Sequence, residues 1–334
     1  MIHVAIVGCG AWGLNQVRAF AADPRCVVAS ICDPNPLASE RATEITNGVA
    51  HNDSYAAILD SSTIDAVVIA TPAPSHARLA LAAMAAGKHV LIEKPMAMTL
   101  ADGQLLAEAA AQTQRTVMVG HLMVYHPVVV RLRAMLVSGE LGALHYLHTS
   151  RVNLGRIRRD ENALWSFGPH DLSMIDYLMQ QMPLSVSARG QCVLQSGIED
   201  VVFLTLRFAN GEMAHLHLSW LHPRKERRLT LVCAQKMVEF DDVATDKLRI
   251  YDKGYDRPNN FTYFDEYLTL RDGDVHIPQV PMEEPLRIQT RHFIDCVSTG
   301  ATPRTDVASG LRVTRVLDAA QRSLQLDGVP VQVL

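Results

Sequence analysis

At 334 residues the chain is longer than one hydrophobic core usually organises, so two domains are expected. Apolar residues make up 48% and charged residues 20%, and the net charge of −4 gives no basic field for nucleic acid or an anionic membrane. No apolar stretch reaches the roughly 18 residues of a membrane span, and Met1–Val7 runs straight into a strand pattern, so the cytoplasm is the expected compartment.

The first 120 residues alternate short apolar runs with Ala-rich helical patterns. Strands are expected at Val4–Val7, Val27–Cys32, Ala66–Ala70, His89–Ile92 and Thr116–Val119, almost wholly apolar as parallel strands covered on both faces must be. Helices are expected near Trp12–Ala22, Ala38–Asn47, Ser75–Ala86, with Gly87 as its glycine cap, and Leu100–Gln112. This alternation specifies an α/β domain with a doubly wound parallel sheet over residues 1–120.

After Gly120 the pattern changes. A helix near Pro127–Ser138 leads into a strand at Leu144–Val152, and a helix at Asp171–Met179 precedes strands at Val201–Phe208, Met213–Trp220, Arg228–Val232 and Met237–Phe240. Their short spacing, with Asn210-Gly211 as a hairpin turn, points to an α+β domain over 121–334 with a large, mainly antiparallel sheet. Two helices near Pro285–Ser298 and Val307–Leu324 close the chain and are free to pack back on the first domain.

Gly8-Cys9-Gly10-Ala11-Trp12-Gly13 follows the first strand and opens the first helix. In a dinucleotide site Gly8 permits the tight turn, Gly10 admits the pyrophosphate to the backbone, and Gly13 permits close helix–strand packing. The helix N-terminus supplies amide donors and partial positive charge. Three glycines alone are weak evidence, but Asp33 ends the second strand twenty residues after Gly13, where a carboxylate bonds the adenosine ribose. A 2′-phosphate would meet that carboxylate with no neighbouring arginine, so NAD is expected over NADP. The plainer reading of Asp33 is a turn residue before Pro34.

Six cysteines lie far apart without a C-x-x-C pair, and His215-x-His217 has no evident third ligand, so neither disulfides nor a metal is expected.

Ala70-Thr71-Pro72 and Glu93-Lys94-Pro95 at strand ends, with the glycine motif and the ending Pro285-Leu286 … His292-Phe293 … Cys296-Val297 … Gly300 … Pro303-Arg304-Thr305-Asp306, resemble the Gfo/Idh/MocA family (glucose–fructose oxidoreductase, inositol dehydrogenase). The resemblance implies an NAD-dependent dehydrogenase acting on CH–OH groups, with Thr71, Pro72, His76, Glu93 and Lys94 beside the cofactor and a cis Lys94–Pro95 bond. It makes Lys94 catalytic, where otherwise it would be a surface lysine. At the carboxyl end of a parallel strand its ammonium would hold the substrate hydroxyl and stabilise an alkoxide. The second catalytic element implied is a histidine opening a helix, here His170 in Trp165-Ser166-Phe167-Gly168-Pro169-His170-Asp171. Histidine suits the base because its ordinary pKa lies near neutrality. Ser166 stands where the family usually has aspartate, and Asp171 is a candidate to support His170 or only a dipole-favoured residue of the first helical turn.

The run Ser150-Arg151-Val152-Asn153-Leu154-Gly155-Arg156 with Glu161-Asn162-Ala163-Leu164-Trp165 is similar to members that oxidise C3 of nucleotide-linked sugars, notably UDP-N-acetylglucosaminuronate 3-dehydrogenases. Asn153, Arg156, Trp165, Ser166 and Asp171 would then face the sugar, together with His121 and Tyr125 from Gly120-His121-Leu122-Met123-Val124-Tyr125-His126-Pro127. Arg156, Arg158 and Arg159 are otherwise a solvated loop face. A free sugar or inositol-like polyol is the alternative substrate, and a non-catalytic sugar- or cofactor-responsive regulator is the alternative outside enzymes. The resemblance also implies a homodimer or homotetramer.

Overall fold

The computed structural model describes residues 1–46, 49, 51–52, 54–155, 157–256 and 268–333. The chain divides into two compact units, Met1–Tyr125 with Glu283–Thr314, and His126–Met282 with Arg315–Leu334. The break thus lies at Tyr125 rather than after Gly120, and the first unit takes in a C-terminal segment.

The first unit begins β1 (Ile2–Val7), α1 (Ala11–Ala21), β2 (Cys26–Cys32), α2 (Pro36–Ile45), α3 (Tyr55–Asp60), β3 (Ala66–Ile69), α4 (His76–Ala85), β4 (His89–Ile92), α5 (Leu100–Thr113) and β5 (Val117–Val119). The five strands are parallel in the order β2-β1-β3-β4-β5. Strands covered on both faces can be apolar throughout, and every residue of β3 is fully buried. Because β2 and β3 flank β1, the order of connection reverses between β1 and β3, where open α/β sheets place their ligand crevice. Helix α2 starts two residues before its expected first residue, Ala38, with Pro36 at its first turn and Asn35 Oδ1 accepting from Leu37 N at 3.1 Å. A proline there forfeits no helical bond, so it is a start signal and not a breaker.

The second unit contains α6 (Pro127–Val137), β6 (Leu144–Leu154), α7 (Ala163–Met179), β7 (Ser185–Gln191), β8 (Val201–Arg207), β9 (Met213–Ser219), β10 (Leu221–Cys233), β11 (Met237–Asp241), β12 (Leu248–Asp256) and β13 (Thr269–His276). Helix α8 (Pro285–Thr299) belongs to the first unit, α9 (Val307–Gln325) is shared out between the two, and β14 (Val331–Gln332) ends the second. Nine strands form one sheet in the order β13-β12-β11-β10-β6-β9-β8-β7-β14, antiparallel except for β6 beside β9. The expected Asn210-Gly211 turn joins β8 to β9, with Gly211 at φ 93°.

Helix α7 begins well before Asp171, the residue expected to open it. Asn162 caps it by accepting from Trp165 N at 3.1 Å, and Pro169 lies inside it. The proline removes one backbone bond but does not stop a helix whose apolar face is buried. That face includes Gly168, where an added Cβ would come within 3.2–3.5 Å of Leu317, Leu164 and Leu218. His170 therefore stands in the middle of a helix and does not open one.

Candidate functional site

In the first unit the glycine loop is shaped by steric necessity. A side chain on Gly8, at φ 90°, would meet Thr71 N at 2.7 Å, and one on Gly13 would overlap Gly8 O at 1.9 Å. Gly10 differs: a Cβ there meets nothing within 4 Å, so the space over it is open. Gly10 is also the N-cap of α1 and contributes no side chain to satisfy the amides, which leaves Ala11, Trp12 and Gly13 presenting donors as a phosphate site requires. Asp33 follows β2 and its carboxylate accepts from Cys9 N at 2.6 Å and from Asn35 N at 2.8 Å. It is both a turn residue and the brace of the glycine loop, and it is partly exposed at the carboxyl end of β2. Open Gly10, an uncapped helix end and a carboxylate at the end of β2 fit NAD.

Glu93, Lys94 and Pro95 follow β4. Glu93 is 5% exposed and sits under the loop: Oε1 accepts from the Trp12 indole and from Gln16 Nε2, and Oε2 accepts from Lys94 N at 3.2 Å. Burial raises its pKa, against the pull of those donors. Glu93 thereby ties α1 to the lysine loop. Gly120 must be glycine here, since a Cβ would approach Glu93 Oε2 to 2.9 Å. The Lys94–Pro95 bond is cis, as the resemblance implied. His76, 1% exposed, spans the same region, with Nδ1 2.8 Å from Pro95 O and Nε2 2.8 Å from Thr71 O. The ring lies between two backbone carbonyls, so His76 links the Thr71-Pro72 loop to the lysine loop.

His121, just after β5, is 2% exposed, and neither ring nitrogen has a hydrogen-bond partner among the described residues. Burial, with a smaller contribution from the Lys94 ammonium, depresses its pKa to about 3, so the imidazole is neutral at physiological pH. A buried imidazole without a partner among the described residues, close enough to Lys94 to feel its charge, is a candidate for a ligand contact.

Tyr125 is bonded within the protein through its hydroxyl. It is fully buried, its hydroxyl lies 3.0 Å from Thr305 Oγ1, and the Arg304 guanidinium sits 5.1 Å from its ring centre. Thr305 in turn donates to Val119 O at 2.7 Å. The Pro303-Arg304-Thr305-Asp306 stretch thus fastens the segment that carries His121.

In the second unit, α7 presents Phe167 and His170, three residues apart on one face, as half-exposed residues amid buried neighbours. Trp165 and Ser166 are 7% and 6% exposed. The Trp165 indole donates to Gln321 Oε1 at 3.1 Å, which anchors the start of the helix. Asp171 is 1% exposed, and its Oδ1 accepts from Arg151 Nε and Nη2 at 3.0 and 2.8 Å. That buried ion pair ties Asp171 Oδ1 to strand β6, while its Oδ2 has no hydrogen-bond partner among the described residues. Asn153 Oδ1 accepts from Arg227 Nη2 at 2.8 Å. Arg156 lies outside the described residues.

Two residues of these sites had little sequence signal. Gln16 was recoverable as a polar residue on the buried face of α1, between Gly13, Val17 and Phe20. Arg227 lies in Arg224-Lys225-Glu226-Arg227-Arg228, a run that reads as solvated charge.

Comparison with known proteins agrees with both units. Residues 2–121 match the NAD-binding Rossmann fold of the GFO_IDH_MocA oxidoreductase family, and residues 129–239 match the GFO/IDH/MocA C-terminal domain. A solved structure from Magnetospirillum magnetotacticum MS-1, described as an oxidoreductase, is 31% identical, covers 95% of this chain and 99% of that one, and superposes with a TM-score of 0.82. UDP-N-acetylglucosamine 3-dehydrogenase from Acidithiobacillus ferrooxidans is 28% identical over 76% of this chain and 79% of its own length. Inositol 2-dehydrogenase 2 from Saccharopolyspora erythraea is 28% identical over 65% of this chain and 66% of its own. The chain spans 62–66% of the length of the first curated relatives it matches. The chain belongs to the Gfo/Idh/MocA oxidoreductase family, and its first unit is that family's NAD-binding Rossmann domain.

Proposed function

We propose that the protein is an NAD-dependent dehydrogenase of a sugar secondary hydroxyl, and that its substrate is a nucleotide-activated sugar or uronic acid oxidised at C3. The observation that carries the reading is Lys94 at the carboxyl end of β4, held on a loop braced by Glu93 and His76, with the buried, unpartnered imidazole of His121 beside it. NAD, when bound, supplies the hydride acceptor. Gly10 and the amides of Ala11, Trp12 and Gly13 hold the pyrophosphate, and Asp33 holds the adenosine ribose.

In this reading Lys94 donates to the substrate oxygen and stabilises the negative charge that grows on it, and His170 accepts the hydroxyl proton. His121, neutral and without a partner among the described residues, hydrogen-bonds a ligand polar group. The UDP-N-acetylglucosamine 3-dehydrogenase among its relatives supports the nucleotide-sugar substrate. Inositol 2-dehydrogenases among them support a free polyol as the second reading. Other copies of the chain complete the partner set.

A panel of UDP-sugars, UDP-uronic acids and inositols, read by NADH absorbance in single turnover, tests the proposal. Reduction of NAD by a UDP-sugar or UDP-uronate in preference to inositol is the expected result. Activity on inositol alone would replace the nucleotide sugar, and no NADH from any of them would remove both the nucleotide-sugar and the inositol readings.

A further inference from the structure

Strands β6 and β10 place Arg151 and Arg227 directly opposite each other. Like charges so paired repel unless each is compensated. Arg151 has its carboxylate in Asp171, while Arg227 has no salt-bridge partner among the described residues. Arg227 instead donates Nη1 to Val152 O at 3.0 Å and to Glu226 O at 2.8 Å, and Nη2 to Asn153 Oδ1 at 2.8 Å. All three acceptors are neutral. Nε and one Nη2 hydrogen have no partner among the described residues, and the guanidinium carbon lies 5.4 Å from the centre of the Phe167 ring. Phe167 stands one helical turn before His170 on the half-exposed face of α7. The cation is thus held in position by neutral groups and an aromatic face.

We propose that Arg227 is the anion-recognition residue of the substrate unit, taking a carboxylate or phosphate group of the substrate, with Asn153 and Phe167 fixing its orientation. This rests on the charged-sugar reading given above and moves its specificity from the Arg156 loop to β10. An arginine fork matches the paired oxygens of either group, and an anion would supply the compensation that Asp171 gives Arg151. Burial and the Arg151 charge together lower the Arg227 pKa to about 10, against the pull of the Asp171 and Asp242 carboxylates.

The test compares wild type with Arg227→Gln and Arg227→Lys on UDP-N-acetylglucosaminuronate and UDP-N-acetylglucosamine, which differ in a carboxylate, with UDP binding followed by calorimetry. Arg227→Lys keeps the charge without the fork and serves if Arg227→Gln does not fold. The expected result is a tenfold or larger rise in KM for the uronate over that for the neutral sugar, with kcat falling less. An equal rise for both sugars accompanied by a matching loss of UDP affinity assigns the fork to the diphosphate. Equal rises with unchanged UDP affinity, or no rise at all, overturn the proposal. If wild type does not prefer the uronate, the uronic-acid reading falls by itself, and UDP affinity in the variants still decides the role of Arg227.

Discussion

The Trp12 indole donates to the carboxylate of Glu93, so the first turn of α1 is tied to the residue before Lys94. Since burial raises the Glu93 pKa, the folded state favours its protonated form more than the unfolded state does. That stability is fully present below the unfolded carboxyl pKa and is lost as pH rises through the higher folded value. Glu93→Gln cannot titrate, so the Tm of wild type should fall relative to the variant as pH is raised from 5 to 9. Parallel Tm curves would show that the donors fully offset the burial of the charge.

Asp33 predicts cofactor choice. NAD should bind at least tenfold more tightly than NADP, because a 2′-phosphate loses a hydrogen bond and meets a carboxylate, together more than about 1.4 kcal/mol. Asp33→Ser should narrow the ratio and also weaken NAD, since it removes the acceptor for Cys9 N that shapes the glycine loop. Calorimetry giving equal affinities in wild type would end the ribose assignment.

Lys94→Met and His170→Asn should each lower turnover about a hundredfold or more, the usual scale for a positioned acid–base or electrostatic group, with NAD affinity within a few-fold of wild type. Near-normal turnover in His170→Asn across pH would assign the base to another residue.

The parallel sheet was legible because buried strands are apolar throughout and the glycine loop has steric demands that only glycine meets. Strands β7, β12 and β13 were not. Ser185–Gln191 and Thr269–His276 lack apolar alternation, and the latter is exposed along nearly its whole length, so pairing within the sheet and not residue pattern defines them. The start of α7 was hidden by Pro169, which reads as a breaker. Within the sites, motif position located Lys94 and Asp33, but it did not reveal which polar groups were already committed. Asp171 and Trp165 lie in the expected motif yet are bonded internally to Arg151 and Gln321. Such commitments are made between distant segments, and a linear pattern carries no trace of them.

Tyr125 separates a pattern-based role from a structural one. Thr305 spends its hydroxyl hydrogen on Val119 O, so the tyrosine hydroxyl donates to Thr305 Oγ1, with Met118 Sδ as a second, longer acceptor at 3.6 Å. Tyr125→Phe removes one buried hydrogen bond, worth about 1 kcal/mol, and should lower Tm by a few degrees without a change in KM. A tenfold rise in KM would place the phenol at the substrate after all.

His121 carries the sharpest test of function against stability. Its two ring nitrogens are buried without partners among the described residues, and such groups cost free energy of about 1–3 kcal/mol each when their bonds are left unmade. Evolution tolerates that cost where a ligand completes the bonds, so His121→Leu, close to histidine in volume, should be more stable than wild type and less active. The pH dependence gives a second readout. With a folded pKa depressed to about 3, His121 contributes stability that is present above the ordinary histidine pKa and is lost as pH falls toward 3, because the unfolded chain takes up a proton that the folded one refuses. The Tm gain of His121→Leu should therefore widen between pH 7 and pH 4. Cofactor and substrate KM values assign the missing partner: a rise confined to NAD places the imidazole at the cofactor, and one confined to the sugar places it at the substrate. A variant that is less stable than wild type at every pH yet turns over normally would make His121 a structural residue.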